Sequence, residues 1–161
     1  MGDARTDRAF VDLYHRHVNT VYRVCYTYMR NVADTEDAVQ NVFVKLLTKP
    51  MSFESVEHEK AWLIRVATNH CKDTLKSSWM KRTGLDEVSE PVAKDEKMDE
   101  TLEEVMKLPE NHRICVYLYY YEGYNAAEIA DIIKRPHSTV RNYLSEARQQ
   151  LKKRLAGSFD E

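Results

Sequence analysis

Residues 125 to 155, NAAEIADIIKRPHSTVRNYLSEARQQLKKRL, carry two apolar seams separated by the short break KRP, and few folds accommodate that pattern. Asn125 can cap a helix whose Glu128 stands at the reciprocal capping-box position, and Ile129, Ala130 and Ile133 follow at inward spacing. Pro136 cannot continue that helix but suits the start of another. Val140, Leu144, Ala147, Leu151 and Leu155 then recur at steps of three or four, which leaves Arg141, Asn142, Ser145, Arg148, Gln149 and Lys152 off the buried seam. Two helices around a tight turn, the second with a polar and cationic outer face, make a helix-turn-helix. Side chains of these types reach phosphates and base edges in a major groove. Any amphipathic helical hairpin also buries one seam and exposes charge. The spacing from small Ala130 to Val140 across so short a break is what favours nucleic acid. Lys134 is a departure, because such turns usually carry Gly, and a non-Gly residue in a left-handed turn costs about 1 kcal/mol.

Outside this segment the pattern is helical too. Only four Gly and four Pro interrupt 161 residues. No apolar run approaches the roughly 20 residues of a membrane span and no signal peptide opens the chain, so a cytoplasmic location is expected. Cys25, Cys71 and Cys115 are odd in number, far apart and set among apolar neighbours, which suits reduced core thiols. His70 beside Cys71 does not make a metal site, since adjacent side chains on a helix diverge by about 100° and no second pair lies nearby. No metal and no cofactor are expected.

The net charge of -2 is unusual for a DNA binder, and its distribution explains why. Residues 1 to 82 carry 13 Lys and Arg against 10 Asp and Glu, residues 83 to 104 carry 2 against 9, and residues 105 to 161 carry 9 against 7. An acidic linker, 83 to 100, is therefore expected between one helical domain at 1 to 82 and another at 101 to 161. The fold class is all-α, two small helical domains. Neither is basic enough to bind DNA tightly alone, which implies a partner.

In the first domain Phe10, Leu13, Tyr14, Val21, Val24, Cys25 and Tyr28 mark a long helix from Asp7 to about Arg30. Asp34 is expected to cap a second helix with the inward seam Ala38, Val39, Val42, Phe43, Leu46 and Leu47. Its other face carries Glu36, Asp37, Gln40, Asn41 and Val44, which periodicity alone reads as solvent exposed. After the break at 49 to 59, a third helix starting near His58 to Lys60 buries Trp62, Leu63, Val66, Ala67, Cys71, Leu75 and Trp79. Trp62 is read as core. Arg65, Asn69, Lys72 and Lys76 line up along another side of that helix, with Phe53 near its start. The stripe reads either as a single-strand surface with a stacking ring or as an ordinary solvated face.

DTEDAVQNVFVKLL (Asp34 to Leu47) resembles the signature helix of region 2 of the sigma-70 family, in its extracytoplasmic-function (ECF) branch. FESVEHEKAWLIRVATNHCKD (Phe53 to Asp73) resembles the loop and helix that follow, and LPENHRICVYLYYYEGYNAAEIADIIKRPHSTVRNYLSEARQQLKKRL (Leu108 to Leu155) resembles region 4. The resemblance spans nearly the whole chain and implies an RNA polymerase sigma factor that binds core polymerase, directs it to promoters and helps open the -10 region. It implies a core polymerase contact through Asp37, Gln40, Asn41 and Val44, which overrides the reading of that face as merely solvated. Phe53 and its loop to Glu59 would hold an extruded -10 base with Asn69 on its edge; enclosure offsets the few kcal/mol that unstacking costs. Arg65, Lys72 and Lys76, with Lys81 and Arg82, would neutralise phosphates.

For the -35 element the resemblance places the helix from about His137 in the major groove. Arg141, Asn142 and Ser145 are its base or phosphate contacts, and Thr139 suits a phosphate. Glu146 and Tyr143 replace residues that are commonly basic in relatives. An acid at 146 cannot hold a phosphate, although it could accept from cytosine. The linker would thread the polymerase channel that later carries RNA. The implied partners are core RNA polymerase and promoter DNA, double-stranded and locally melted; the resemblance admits an anti-sigma factor without identifying one. A helix-turn-helix regulator that does not deliver polymerase is the alternative. An enzyme is disfavoured, as the chain offers no nucleophile and base constellation, no P-loop and no metal spacing.

Overall fold

Apolar residues at helical spacing set every element of the computed structural model, which describes residues 4–49, 52–81 and 100–159, with backbone alone at 4–6, 78–81, 100 and 156–159. Regular structure in the described residues is helical throughout, and the chain divides into two units, Met1–Pro91 and Val92–Glu161. In the first, α1 (Ala4–Met29), α2 (Val32–Thr48) and α3 (Val56–Lys81) each pack against the other two. Val21, Val24 and Cys25 of α1 meet Ala38 and Val42 of α2 and Leu63, Ile64, Ala67 and Cys71 of α3 in a closed core. Each buried Val, Leu or Ile there contributes on the order of 1.5–3 kcal/mol.

Three helix starts and four side chains differ from the sequence expectation. The first helix, α1, begins at Ala4, ahead of the expected Asp7, and Leu75 of α3 is half-buried rather than buried. Arg30 adopts a left-handed conformation at φ 65, which ends α1 and turns the chain so early that Asn31, not Asp34, caps α2. The Asn31 side chain accepts from the Asp34 N–H at 2.8 Å and donates to its carboxylate at 2.8 Å. Ser55 Oγ accepts from the His58 N–H at 3.0 Å, so α3 begins at Val56, ahead of the expected His58 to Lys60. Ile64 and Thr68 fill the core where Trp62 and Val66 are half-buried instead, because the buried face of α3 is rotated from the expected stripe. Leu47, expected inward, is 58% exposed at the last turn of α2.

The second unit holds α4 (Glu100–Met106), α5 (Glu110–Val116) with a π-helical turn at Tyr117–Tyr121, α6 (Ala126–Ile133) and α7 (His137–Phe159). Val105, Leu108, Ile114, Tyr117, Leu118, Ile129, Ile133, Val140 and Ala147 close its core. Ile132 is buried and Ala130 only half-buried, so the inward stripe of α6 sits slightly off the expected one. The π turn closes through Glu122 N–H to Tyr117 O at 3.3 Å, and Gly123 follows at φ 77, where a side chain would be strained.

The helix-turn-helix itself forms as the sequence reads. Asn125 and Glu128 make both bonds of the capping box, at 2.9 and 3.0 Å. Lys134 takes the left-handed position at φ 57, and the Pro136 carbonyl accepts the first bond of α7 from Val140 N–H at 3.1 Å. Arg82, the expected linker up to residue 99, and the side chains of Trp79 and Lys81 lie outside the described residues. None of the described helices is long and apolar enough to cross a membrane.

Candidate partner and nucleic-acid interfaces

The outer face of α2 carries all four residues expected to meet a partner. Asp37, Gln40, Asn41 and Val44 are exposed, and Asn41 donates to the Asp37 carbonyl at 2.8 Å. Val44 is 52% exposed, and the outward Leu47 lies within a turn of it, so the polar face carries two apolar groups toward its C-terminal end. Polar residues around exposed aliphatics are what a docking helix requires. The second apolar group went unread because Leu47 lies where a seam of period 3.6 and the actual helix end diverge.

The loop before α3 is held by its own side chains. Glu54 N–H donates to His58 Nδ1 at 3.2 Å, and the half-buried Phe53 ring lies 5.3 Å from His58 and 5.6 Å from Trp62. Trp62 and Arg65 are three residues apart, so the aromatic group stands at the N-terminal end of the Arg65, Asn69, Lys72 and Lys76 stripe. Arg65, Asn69 and Lys72 are half-buried and Lys76 is exposed. Phe53 is thus brought to the stripe through Trp62, a residue read from sequence as core. The arrangement offers rings for stacking, an amide for a base edge and cations for phosphates.

What anchors this end of α3 was not legible. Glu59 accepts from Arg16 Nη2 at 3.2 and 3.1 Å and pairs with His17 Nε2 at 3.0 Å, both from α1. His17 is 3% exposed. Burial pushes the Glu59 carboxyl up, but the hydrogen bonds from His17 and Arg16 together with their charges outweigh it, and the net shift is downward. The carboxylate therefore stays ionised against α1 and pins the residues that follow Phe53.

In the second unit, an open depression of about 890 Å³ lies between the start of α6 and the first half of α7. Arg141, Asn142 and Ser145 line it with His137, Ser138 and Arg148 from the same helix. Thr139 is half-buried and stands outside that lining. Arg148 lies over the Tyr119 ring, 5.7 Å from its centroid, a contact that a π turn supplies and that no local spacing reveals. Tyr143 and Glu146 turn elsewhere: Asn111 Nδ2 donates to Tyr143 Oη at 3.4 Å, and His112 Nε2 pairs with Glu146 at 2.6 Å. Glu146 is thus bonded to α5, so the acceptor role for cytosine read from sequence does not describe its position here. Among the described residues no three His, Cys, Asp or Glu side chains converge as a metal site would require.

Comparison with known proteins matches residues 13–80 to Sigma-70 region 2 and residues 100–153 to Sigma-70 region 4. The ECF RNA polymerase sigma factor SigW of Bacillus subtilis is 25% identical, with 91% of this chain and 89% of the relative covered. The ECF RNA polymerase sigma factor SigM of Mycobacterium tuberculosis is 28% identical, covering 91% and 77%. In fold, the chain resembles the sigma factor RpoE from Bartonella quintana, solved with the anti-sigma factor NepR, at a TM-score of 0.74 and 18% identity over 92% of this chain and 98% of that one. CnrH, solved with the cytosolic domain of CnrY, gives a TM-score of 0.64 at 21% identity over 94% and 90%.

Proposed function

This chain belongs to the sigma-70 family of RNA polymerase initiation factors, in its ECF branch, and from that premise we propose how its two units divide the work of a sigma factor. Such a factor binds core polymerase, directs it to promoters and helps open the -10 region. Residues 1 to 82 dock on the polymerase and act on the -10 element. Residues 101 to 161 bind the -35 element, and the acidic stretch 83 to 100 tethers the two. Asp37, Gln40, Asn41 and Val44 meet the polymerase, and Leu47 enlarges that contact. Phe53 and its loop receive a -10 base, Asn69 reads its edge, and Arg65, Lys72 and Lys76 carry phosphates. Arg141, Asn142 and Ser145 face the -35 groove, with Thr139 on a phosphate at its border. The factor works in the cytoplasm through binding energy alone, without making or breaking a covalent bond. An anti-sigma factor, as solved with the structural relative from Bartonella quintana, is a further partner.

The observation that carries this reading is the occurrence of both regions, in order, on one chain. A helix-turn-helix regulator needs only the second. Transcription with purified core polymerase separates the two: the sigma factor starts RNA synthesis at specific promoters, and a regulator alone starts none. Asn69→Ala tests the -10 pocket. Permanganate footprinting should show promoter opening reduced at least tenfold while core binding is unchanged, on the scale of one lost base-edge contact. Normal opening by that variant would remove Asn69 from the pocket.

A further inference from the structure

Resting on the reading of α7 as the -35 helix, we propose that His112 is a positioning residue for DNA recognition. It holds the Glu146 carboxylate on α5, off the groove-facing surface, so that Glu146 neither reads a base nor repels a phosphate. Asn142 lines the depression that faces DNA, and Glu146 follows it by four residues, one turn along the same side of α7. A free carboxylate there would stand beside the -35 surface that Arg141 faces and would repel its phosphates. Its side chain is 59% exposed and has room to turn toward them.

The contact with α5 prevents this. His112 Nε2 lies 2.6 Å from Glu146 Oε2, while the ring is only 13% exposed and stacks obliquely on Tyr143 at 4.9 Å. Its other nitrogen, Nδ1, is buried with no hydrogen-bond partner among the described residues, so Glu146 alone fixes the polar orientation of the ring. Asn111 holds Tyr143 from the same helix. Tyr143 and Glu146 are thus both bonded to α5. At 146 the acid is occupied by the imidazole N–H that α5 supplies.

The test is competition binding of the reconstituted holoenzyme to a library of -35 variants. Arg141→Ala checks the underlying reading and should lower -35 affinity at least tenfold. Unchanged affinity in that variant overturns the assignment of α7 and this proposal with it. With that control in place, Glu146→Gln should leave the ranking of -35 sequences unaltered, and a changed preference at one base pair would mean that Glu146 reads it. His112→Ala should weaken binding roughly five- to tenfold, the scale of one like-charge contact in a solvated interface. His112→Ala with Glu146→Gln should recover affinity to within about twofold, since the released group is then neutral. A merely structural histidine would not be rescued this way, because Gln at 146 restores no packing at 112. His112→Gln, whose amide can donate to Glu146, should keep affinity near that of the native chain. If His112→Ala does not fold, the ranking with Glu146→Gln and the affinity of His112→Gln still decide the matter.

Discussion

Among the described residues each unit of this sigma factor contains a His–Glu pair that ties a site-bearing helix to a neighbour, and the two pairs differ in what surrounds them. In the first unit His17 is buried and Glu59 is 13% exposed in its side chain, with Arg16 as a second donor. In the second, His112 is sheltered but Glu146 faces solvent. A buried pair is costly to break, since removing one member strands the other in low dielectric; an exposed one adds little to stability and can still decide where a charge points. The difference separates a bond that builds a site from one that aims it.

The largest effect should come from breaking the first pair. Glu59→Ala leaves His17 without its carboxylate and frees the start of α3, at a cost of about 2 kcal/mol. Both tryptophans, Trp62 and Trp79, lie in the first unit, so their fluorescence follows its urea unfolding separately from the second. Promoter opening should fall while binding to -35 duplex DNA holds. The sign with pH follows from the lowered carboxyl pKa: the stabilisation is complete above the ordinary carboxylate range and is lost as pH falls through the lower folded value. Glu59→Gln should flatten that acid limb. Equal unfolding midpoints for native and Ala chains would reduce the clamp to a surface contact.

A smaller effect distinguishes strain from packing. Arg30 ends α1 and Lys134 ends α6, both left-handed without being Gly. Left-handed backbone costs a non-Gly residue about 1–2 kcal/mol, and Gly forfeits about 0.5–1 kcal/mol in chain entropy. Arg30→Gly and Lys134→Gly should each stabilise their own unit by about 0.5–1 kcal/mol in urea titrations followed by circular dichroism. Because both side chains are exposed, the gains should match. A gain at 30 with none at 134 would assign the Lys134 ammonium a compensating contact that Arg30 lacks.

The same contrast governs what could be read from the chain itself. The helix-turn-helix was legible because its determinants are local: the Asn125 and Glu128 capping box, Pro136 and the α7 seam lie within about thirty residues, and each acts on its immediate neighbours. Arg141, Asn142 and Ser145 follow from that seam by subtraction. The Arg16, His17 and Glu59 cluster was not legible, since the partners are more than forty residues apart and neither helix reveals its rotation about the other. That rotation also decided that Ile64 is core while Trp62 meets Phe53. His112 and Glu146 were missed for the same reason, although an acid on the otherwise cationic outer face of α7 was a signal that some group had to take up its charge.

The smallest effect concerns a histidine that has no acid partner of this kind. His70 on α3 is half-buried; burial lowers its pKa below 6.5, Lys45 on α2 lowers it further, and Asp73 offsets part of the shift. The unfolded chain therefore takes up a proton at a higher pH than the folded one does. Stability is undiminished above about 6.5, falls as pH drops through that value, and levels off below the folded pKa. The neighbouring Thr74 hydroxyl at 3.5 Å does not reverse this, because the neutral ring serves that contact as donor or acceptor. Between pH 7.5 and 5.5 the native chain should lose some urea resistance in the tryptophan-reported transition, by less than Glu59→Ala removes, and His70→Gln should lose less over the same interval. Identical pH slopes for the two chains would mean that proton uptake at His70 is the same folded and unfolded.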